Sequence, residues 1–187
     1  MPYIDPIRRD MLNPAIQRLV YAISENPEFA LRRGDVVSFA IFTLLDKIYS
    51  IASYQSYNEA IGVLSAARRE FVRRRVSSYK IRCELIEARR EFDWQMLNHA
   101  HSLSEAISSL ASEIESTPLL ADKKAGVTNY AITKLIIAFY LFPRYDEMQE
   151  AAEVVGCAAD RFYDQRVAPY EDRKISECGD VYPEGAL

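Results

Sequence analysis

GVTNYAITKLIIAFY, residues Gly126–Tyr140, is the segment that decides the fold, because the chain holds a second version of it. The earlier version is DVVSFAIFTLLDKIY, residues Asp35–Tyr49, and the two align without a gap at an offset of 91 residues. The same offset aligns residues 12–79 with 103–170, where about 20 of 68 positions are identical. Chance would supply roughly 4 or 5 identities with ordinary composition. The chain is therefore predicted to contain one domain twice rather than an array of short repeats.

The residues shared by the two segments keep the spacing of amphipathic helices. An apolar series recurs in both: Leu12, Ile16, Leu19 and Ile23 match Leu103, Ile107, Leu110 and Ile114. This spacing places each series on one face of a helix. The chain has only six Gly and eight Pro, too few for the frequent turns of an all-β fold. The predicted fold is all-α, a helical bundle of two tandem three-helix repeats related by approximate two-fold symmetry.

We divide the chain into a first repeat, residues 1–91, and a second repeat, residues 92–187. Three amphipathic helices of this size bury little apolar surface alone. We therefore expect the repeats to pair and close one bundle, like a homodimer fused into one chain. The first repeat carries 15 Lys/Arg and 11 Asp/Glu, a net charge of +4, and the second carries 8 and 16, a net charge of −8. Opposite charges favour repeats that face each other, or chains that associate as homo-oligomers or with another protein.

Proline, glycine and capping residues set the expected helix limits. The first repeat is predicted to have an N-terminal arm followed by three helices: residues 1–12, then 13–25, about 36–50, and 57 to about 98. The second repeat is predicted to have three helices and a short last one: residues 104–115, 127–142, 145 to about 167, and 171–177. Ser102-Leu-Ser-Glu105 has the pattern of a capping box. A polar tail follows from Gly179 to Leu187.

The composition indicates in which cellular compartment the protein is expected. The hydrophobic content of 49% and the charged content of 27% are typical of a soluble globular protein. No apolar run reaches the roughly 18 residues of a membrane span, and the N-terminus has no signal-peptide pattern. Cys83, Cys157 and Cys178 are an odd number of cysteines without metal-ligand spacing. We expect a protein of the cytoplasm, of a cell or of a phage-infected host, that has no membrane segment.

The densest charged segment is RREFVRRR, with five arginines: Arg68, Arg69, Arg73, Arg74 and Arg75. Such a segment could bind phosphate or nucleic acid. Its arginines are distributed around a helix, however, and Glu70 is spaced to pair with Arg73 and Arg74. The favoured interpretation is a solvated face, or a face that pairs the repeats.

Carboxylates on the last long helix are candidate ligands for a metal ion. Glu147, Glu150 and Glu153 stand at i, i+3 and i+6, with Asp160 and Asp164 on the following turns. Such a series could hold magnesium and a nucleotide, as in all-α pyrophosphohydrolases. A solvated acidic face is the favoured interpretation. His99 and His101 have no Cys or His cluster around them, and no metal site and no cofactor are predicted.

Asn129, Tyr130 and Thr133 are polar residues at the start of an otherwise apolar helix. The favoured interpretation is an N-cap and its neighbours. The alternative is a ligand site, and it belongs to the second repeat, because the first repeat has Ser38, Phe39 and Phe42 at these positions.

Three segments together resemble a family of short, functionally uncharacterised phage and bacterial proteins. They are the opening MPYIDPIRRD, the central GVTNYAITKLI and the closing FYDQRVAPYEDRKISECGDVY. The resemblance implies a domain of about one repeat that usually self-associates, here present as a tandem duplication. The first repeat departs from the family pattern at residues 37–39 and 76–79. The resemblance implies no particular activity.

These observations leave three hypotheses for function. The first is a non-enzymatic all-α protein of phage or mobile-element origin that binds a partner or a small ligand. Its candidate residues are Asn129, Tyr130, Thr133, Arg166, Tyr170, Glu171, Lys174 and Asp180, with Arg166 and Lys174 contacting an anion. The second is a magnesium-dependent nucleotide or phosphate-ester hydrolase that uses the acidic residues of the last long helix. The third is nucleic-acid binding through Arg68–Arg75.

Overall fold

The structure, a computed structural model, describes residues 4–76, 94, 97, 100–140 and 144–179 of the chain. Helices account for nearly all of these residues and none of them forms a strand, which confirms the all-α fold. The helices are α1 (Pro6–Ser24), α2 (Pro27–Leu31), α3 (Arg33–Ile48), α4 (Tyr54–Phe71), α5 (His101–Ser116), α6 (Pro118–Ala121), α7 (Lys124–Phe139), α8 (Tyr145–Phe162) and α9 (Ala168–Cys178). Two π-helical turns extend α4 and α8: the first π turn is Val72–Val76 and the second is Tyr163–Val167.

The helix limits repeat along the chain at the offset found in the sequence. α3 and α7 begin and end at residues that are 91 apart, and so do α4 and α8. The two π turns obey the same offset. Each of the two aligned segments therefore contains the same succession of elements over the described residues. The two-fold symmetry between them stays a prediction.

α3 and α7 form the centre of the bundle because they are apolar around most of their circumference. α3 buries 11 residues, from Gly34 to Ile48. α3 packs on α8 and α5, α7 packs on α4 and α1, and α1 packs on α5. Each of these contacts joins a helix from before residue 77 to one from after residue 100. The two halves therefore interlock around one shared core, to which both apolar series contribute.

The predicted N-terminal arm is wrong, because α1 already begins at Pro6. Asp5 is the N-cap, and its Oδ1 accepts a hydrogen bond from the backbone N–H of Arg8 at 3.0 Å. Asp5-Pro6 and the predicted start Asn13-Pro14 are both patterns that can open this helix, and the earlier one is used because both Ile4 and Leu12 are buried in the core. Pro14, predicted to open the helix, lies inside it.

The predicted capping box at Ser102 is also wrong. α5 begins at His101, and its N-cap is Ala100, which makes no side-chain capping bond. The earlier start carries Leu103 into the core, where it is fully buried. Burial of an apolar residue outweighs the roughly 1 kcal/mol that a capping side chain contributes.

Other helices begin or end a few residues away from their predicted limits. α3 and α7 each begin three residues before the predicted start, and α9 begins at Ala168 rather than at residue 171. Pro169 is tolerated there because the first turn of a helix needs no backbone N–H. The predicted third helix ends its α-helical part at Phe71.

Most of the remaining span of that third helix, up to Asn98, lies outside the described residues. At Trp94 the prediction is wrong, because this residue is not helical. The Trp94 ring is buried against Phe39 and Phe42, and its Nε1 donates to Ser38 Oγ at 3.0 Å. Within the described residues, no helix has both the length and the apolar character that crossing a bilayer requires.

Candidate functional site

A cleft of about 680 Å³ opens between the C-terminal end of α3, one face of α5 and the second π turn. Both halves of the chain supply its walls. Its lining residues are Asp46, Lys47, Tyr49, Ser50, Tyr57, Ser108, Ala111, Ser112, Glu115, Ser116 and Arg166. We name it the Arg166 cleft. π turns often occur at functional sites, and the second π turn places Arg166 on this cleft.

Arg166 forms a two-point ion pair with Asp46, which lies in the last turns of α3. Its Nη2 donates to Asp46 Oδ2 at 2.7 Å, and its Nε donates to Asp46 Oδ1. This planar arrangement fixes the guanidinium more firmly than a single bond would. Hydrogen bonding to Asp46 raises the pKa of Arg166 above its already high ordinary value. Arg166 is therefore a permanent, oriented cation at one wall.

Tyr49 lies in the wall of the cleft with only 1% of its surface exposed. Its hydroxyl has no hydrogen-bond partner in the structure. Burial, reinforced by the nearby carboxylate of Glu59, raises the pKa of Tyr49, so the phenol stays neutral. The Lys124 Nζ lies over its ring, 4.6 Å from the centroid. Buried hydroxyls are normally satisfied, so this one is unusual. Because the hydroxyl oxygen is shielded from solvent and lies near Glu59, which does not line the cleft, it is not available to a molecule in the cleft.

Tyr57 connects the cleft to α9. Its ring meets Phe162 edge-on at 5.9 Å and Tyr170 edge-on at 5.6 Å between centroids. α9 has no buried residue of its own, and the Tyr170 ring joins it to Tyr57 of α4. Lys174 Nζ lies 5.9 Å from the centroid of the Tyr170 ring.

The α5 wall is a row of oxygen atoms. Ser108, Ser112, Glu115 and Ser116 line the cleft at i, i+4, i+7 and i+8, the spacing of one helical face. Ser108 Oγ donates to Ser104 O and Ser116 Oγ donates to Ser112 O, each at 2.7 Å. Because these hydroxyl protons are used within the helix, the serine oxygens are left to accept hydrogen bonds.

A second polar cluster consists of Arg33, Tyr140 and Glu150. These residues correspond, at the offset of 91, to Lys124, Tyr49 and Glu59. Arg33 Nη2 donates to Glu150 Oε2 at 2.7 Å, and its guanidinium carbon lies 4.5 Å from the Tyr140 ring centroid. Glu147 is 3.5 Å from the same guanidinium. Burial and Glu150 raise the pKa of Tyr140. Both halves thus place a cation over a buried tyrosine beside a glutamate.

This arrangement bears on the alternative hypothesis of a magnesium site on the last long helix. Glu147 and Glu150 are ion-paired with Arg33, and Glu153 accepts from Gln149 Nε2 at 2.8 Å. Asp160 and Asp164 follow on later turns. Across the ranges that the structure describes, no group of three His, Cys, Asp or Glu residues is arranged to hold a metal ion.

Comparison with known families gives one match. The family described as "Domain of unknown function (DUF6899)" matches the chain in two segments, residues 1–84 and 86–181. The chain belongs to this family. Two consecutive matches agree with the internal repeat seen in the sequence. No curated protein and no solved structure gives a significant match.

The structure divides the predicted site residues of this DUF6899 chain into two groups. Arg166 lines the cleft, and Tyr170 and Lys174 lie next to it through Tyr57. Glu171 accepts from the Tyr163 hydroxyl at 2.7 Å on the outer side of α9, and Lys174 also pairs with Glu177. Asp180 lies outside the described residues.

Asn129, Tyr130 and Thr133 form the second group, and they do not line the cleft. Asn129 is 1% exposed and its Nδ2 donates to Val63 O of α4 at 3.0 Å. Thr133 Oγ1 donates to Asn129 Oδ1 at 3.5 Å, and the Tyr130 hydroxyl donates to Asn13 Oδ1 at 2.9 Å. The capping role favoured for Asn129 is wrong, because α7 begins at Lys124 and Asn129 joins two helices instead.

The arginine-rich segment spans the end of α4 and the first π turn of this DUF6899 chain. The pairing predicted for Glu70 is confirmed: Arg73 Nη2 and Arg74 Nε both donate to Glu70 Oε1, at 2.7 and 2.6 Å. Arg68, Arg69 and Arg75 are also at the surface. Nothing in this arrangement favours a nucleic acid over solvent.

Sequence reasoning missed Asp46, Lys47, Tyr49 and the α5 serine row as parts of a site. Only the serine row could have been recognised from the sequence, because Ser108, Ser112 and Ser116 recur at four-residue steps on the solvent side of an amphipathic helix. The convergence of α3, α5 and the second π turn depends on tertiary packing, which no local pattern encodes.

Proposed function

We propose that this protein is a non-enzymatic small-ligand-binding protein whose binding site is the Arg166 cleft. The observation that supports this most strongly is the two-point ion pair of Arg166 with Asp46, which holds an oriented and partly exposed guanidinium at the wall of an open cleft. A guanidinium that is already oriented loses little freedom when it binds an anionic group.

The size and walls of the cleft support the same proposal. A volume of about 680 Å³ lies within the range of roughly 300–1,000 Å³ that is usual for ligand sites. Tyr49 and Tyr57 provide apolar surface, and the Arg166–Asp46 pair provides oriented charge. No catalytic residue is assigned. The magnesium-hydrolase and nucleic-acid hypotheses are less favoured, because Glu147 and Glu150 are matched by Arg33, and Glu70 by Arg73 and Arg74.

A matched pair of variants tests the proposal. The full chain is screened by thermal shift against free amino acids, sugars, organic acids and nucleotides, and any ligand found is titrated by calorimetry. Arg166→Gln is expected to weaken its binding by about tenfold or more, as loss of a hydrogen bond to a charged group does. Arg75→Gln is the control, since Arg75 occupies the corresponding position of the other half and does not line the cleft.

The proposal predicts that Arg75→Gln binds like the parent chain. It is overturned when no compound shifts the unfolding temperature, or when a ligand binds equally well to the parent chain and to Arg166→Gln. Hydrolysis of a nucleotide that depends on magnesium and disappears in Glu150→Gln would establish the enzymatic alternative instead.

The remaining features of the proposal rest on the sequence. The intramolecular pairing of two repeats is supported by the equal helix limits at an offset of 91 and by contacts that join the halves. Association into homo-oligomers or with a protein partner, a cytoplasmic location and a phage or mobile-element origin stay predictions.

A further inference from the structure

We infer that the ligand of the Arg166 cleft is a zwitterion of the amino-acid type, carrying one ammonium and one carboxylate. This inference rests on the proposed function and narrows its ligand class. It is based on the separation of charge between the two walls of the cleft.

The α3 side of the cleft has a net positive charge, because Lys47 and Arg166 outnumber Asp46 there. Lys47 and Arg166 both line it. Arg166 remains 47% exposed although two of its nitrogens are bound to Asp46. Lys47 is half-buried and makes no ion pair with a described residue. A carboxylate placed at this side would meet an ammonium and part of a guanidinium, the groups that bind carboxylates best.

The α5 wall supplies a negative charge and hydrogen-bond acceptors. Glu115 is exposed there without an ion pair to a described residue, between Ser112 and Ser116. Ser108 and Ser116 have already donated their protons to α5 carbonyls, so they offer acceptor oxygens. An ammonium group has three donors and no acceptor. It therefore suits this wall and would be repelled by the wall that holds Lys47.

The full set of lining charges favours a neutral molecule with separated charges. Lys47 and Arg166 balance Asp46 and Glu115, so the cleft has no net charge. A phosphorylated ligand would bring excess negative charge next to Asp46 and Glu115, and a polyamine would bring excess positive charge next to Lys47 and Arg166. A sugar would leave Lys47 and Glu115 without partners.

The polar character of the cleft is not a general property of this fold. Asp46, Lys47 and Tyr57 correspond to Ile137, Ala138 and Met148 in the second half, at the offset of 91. The same structural positions are therefore apolar on the other side of the bundle. Tyr49 and Tyr57 add ring surface that would contact the side chain of a bound amino acid.

The inference is tested with charge-blocked analogues of one ligand. Free L-amino acids and unblocked dipeptides are titrated into the full chain by calorimetry or ligand-observed NMR. The tightest binder is then compared with its N-acetyl derivative, which lacks the ammonium, and its C-terminal amide, which lacks the carboxylate. Each blocked form is expected to bind about tenfold or more weakly, since hydrogen bonds to charged groups contribute about 1.5–3 kcal/mol.

Two variants test which wall binds the carboxylate of the ligand and which binds its ammonium group. Lys47→Gln is expected to weaken binding of the free compound several-fold but to leave binding of the amide unchanged. Glu115→Gln is expected to weaken the free compound but not the N-acetyl form. Lys134→Gln, an exposed change on α7, is the control and is expected to have no effect on either.

The outcomes separate this inference from the proposed function. When sugars, organic acids or nucleotides bind at the cleft and zwitterions do not, the ligand class is wrong while the binding function stands. When blocked and free forms bind equally, the inference is likewise overturned. When no compound of any class binds, the proposed function fails together with the inference.

Discussion

Two tyrosines at corresponding positions, Tyr49 and Tyr140, each have a buried hydroxyl without a hydrogen-bond partner. Each has a cation over its ring, Lys124 in one case and Arg33 in the other. Burial raises the pKa of both phenols above the ordinary value of 10.0. These hydroxyls are therefore unfavourable for folding at every pH and become more so in alkali.

The first prediction concerns the pH dependence of stability. In the unfolded chain both tyrosines ionise near pH 10.0, whereas in the folded chain they stay protonated. Stability that is fully present below pH 10 is then lost as the pH rises above that value. The double variant Tyr49→Phe/Tyr140→Phe is expected to lose less stability between about pH 9 and 11, measured by urea unfolding across that range.

The same variant is expected to be more stable than the parent at pH 7, by about 1 kcal/mol or more, because two unsatisfied hydroxyls are removed. Tyr21→Phe is the control, since the Tyr21 ring is 64% exposed. An equal or lower stability of the double variant at pH 7 would show that both hydroxyls have partners in solution.

The second prediction concerns Asn129. Asn129→Ala removes the buried hydrogen bond to Val63 O between α7 and α4, together with the packing of the amide, and leaves that carbonyl with only its bond within α4. The free energy of unfolding is expected to fall by about 1–3 kcal/mol. Lys134→Ala, an exposed residue of the same helix, is expected to change it by less than about 0.5 kcal/mol. Equal effects of the two variants in urea unfolding would contradict the assigned role.

Among individual residues, the sequence predicts the contacts between side chains that are close to each other along one helix. The pairing of Glu70 with Arg73 and Arg74 follows from spacing along one helix. Arg166 was selected as a binding residue, but its partner Asp46 was not, because 120 residues separate them. Asn129 was recognised as unusual, yet its partner is a backbone carbonyl of another helix, which no side-chain pattern reveals.

Helix starts differ between corresponding elements of the two halves. Ser53 caps α4, with its Oγ accepting from the Ser56 N–H at 3.2 Å. Arg144 holds the corresponding position before α8, where the backbone is extended but no side chain caps the helix. Arg144 pairs with Asp146, and both are exposed. Such surface pairs contribute little to stability.

The third prediction follows from this difference. Arg144→Ser gives α8 the cap that α4 has, and the free energy of unfolding is expected to rise by about 0.5–1 kcal/mol. Ser53→Ala is the reciprocal change and is expected to lower it by about 0.5–2 kcal/mol. Thermal unfolding of both variants checks the pair. A loss of stability in Arg144→Ser would mean that the arginine is more important than its exposure indicates.

Element types could be predicted from the sequence, and element limits only in part. α8 and the second π turn together span the predicted 145–167, because the apolar period and the prolines mark that helix well. α1 and α5 began earlier than predicted because burial of Leu12 and Leu103 decided the start, and burial is a property of the assembled core. Capping residues alone were therefore a poor guide.

At the scale of the molecule, the main helix contacts join residues before 77 to residues after 100. Neither half contains a core of its own among these contacts, and one apolar cluster draws on both. The fold is therefore expected to depend on association of the halves, even though a single chain supplies them.

The fourth prediction tests that dependence. Residues 1–91 and 92–187, produced as separate chains, are each expected to lack a cooperative unfolding transition. Mixed, they are expected to regain helical circular dichroism and to form a one-to-one complex whose unfolding midpoint rises with concentration. Their net charges of +4 and −8 favour this complex over pairing of like halves. A half that folds cooperatively alone, or a mixture that stays unfolded, would contradict the interlocked core.

A pair of surfaces held on one chain meets at an effective concentration in the millimolar range, whatever the abundance of the protein. Identical subunits must accept every mutation twice, once on each side of their axis. Two halves of one chain are free of that constraint, and here Asp46, Lys47 and Tyr57 on one side correspond to Ile137, Ala138 and Met148 on the other. One chain can therefore carry a single polar hollow on a scaffold whose two halves share the same helices.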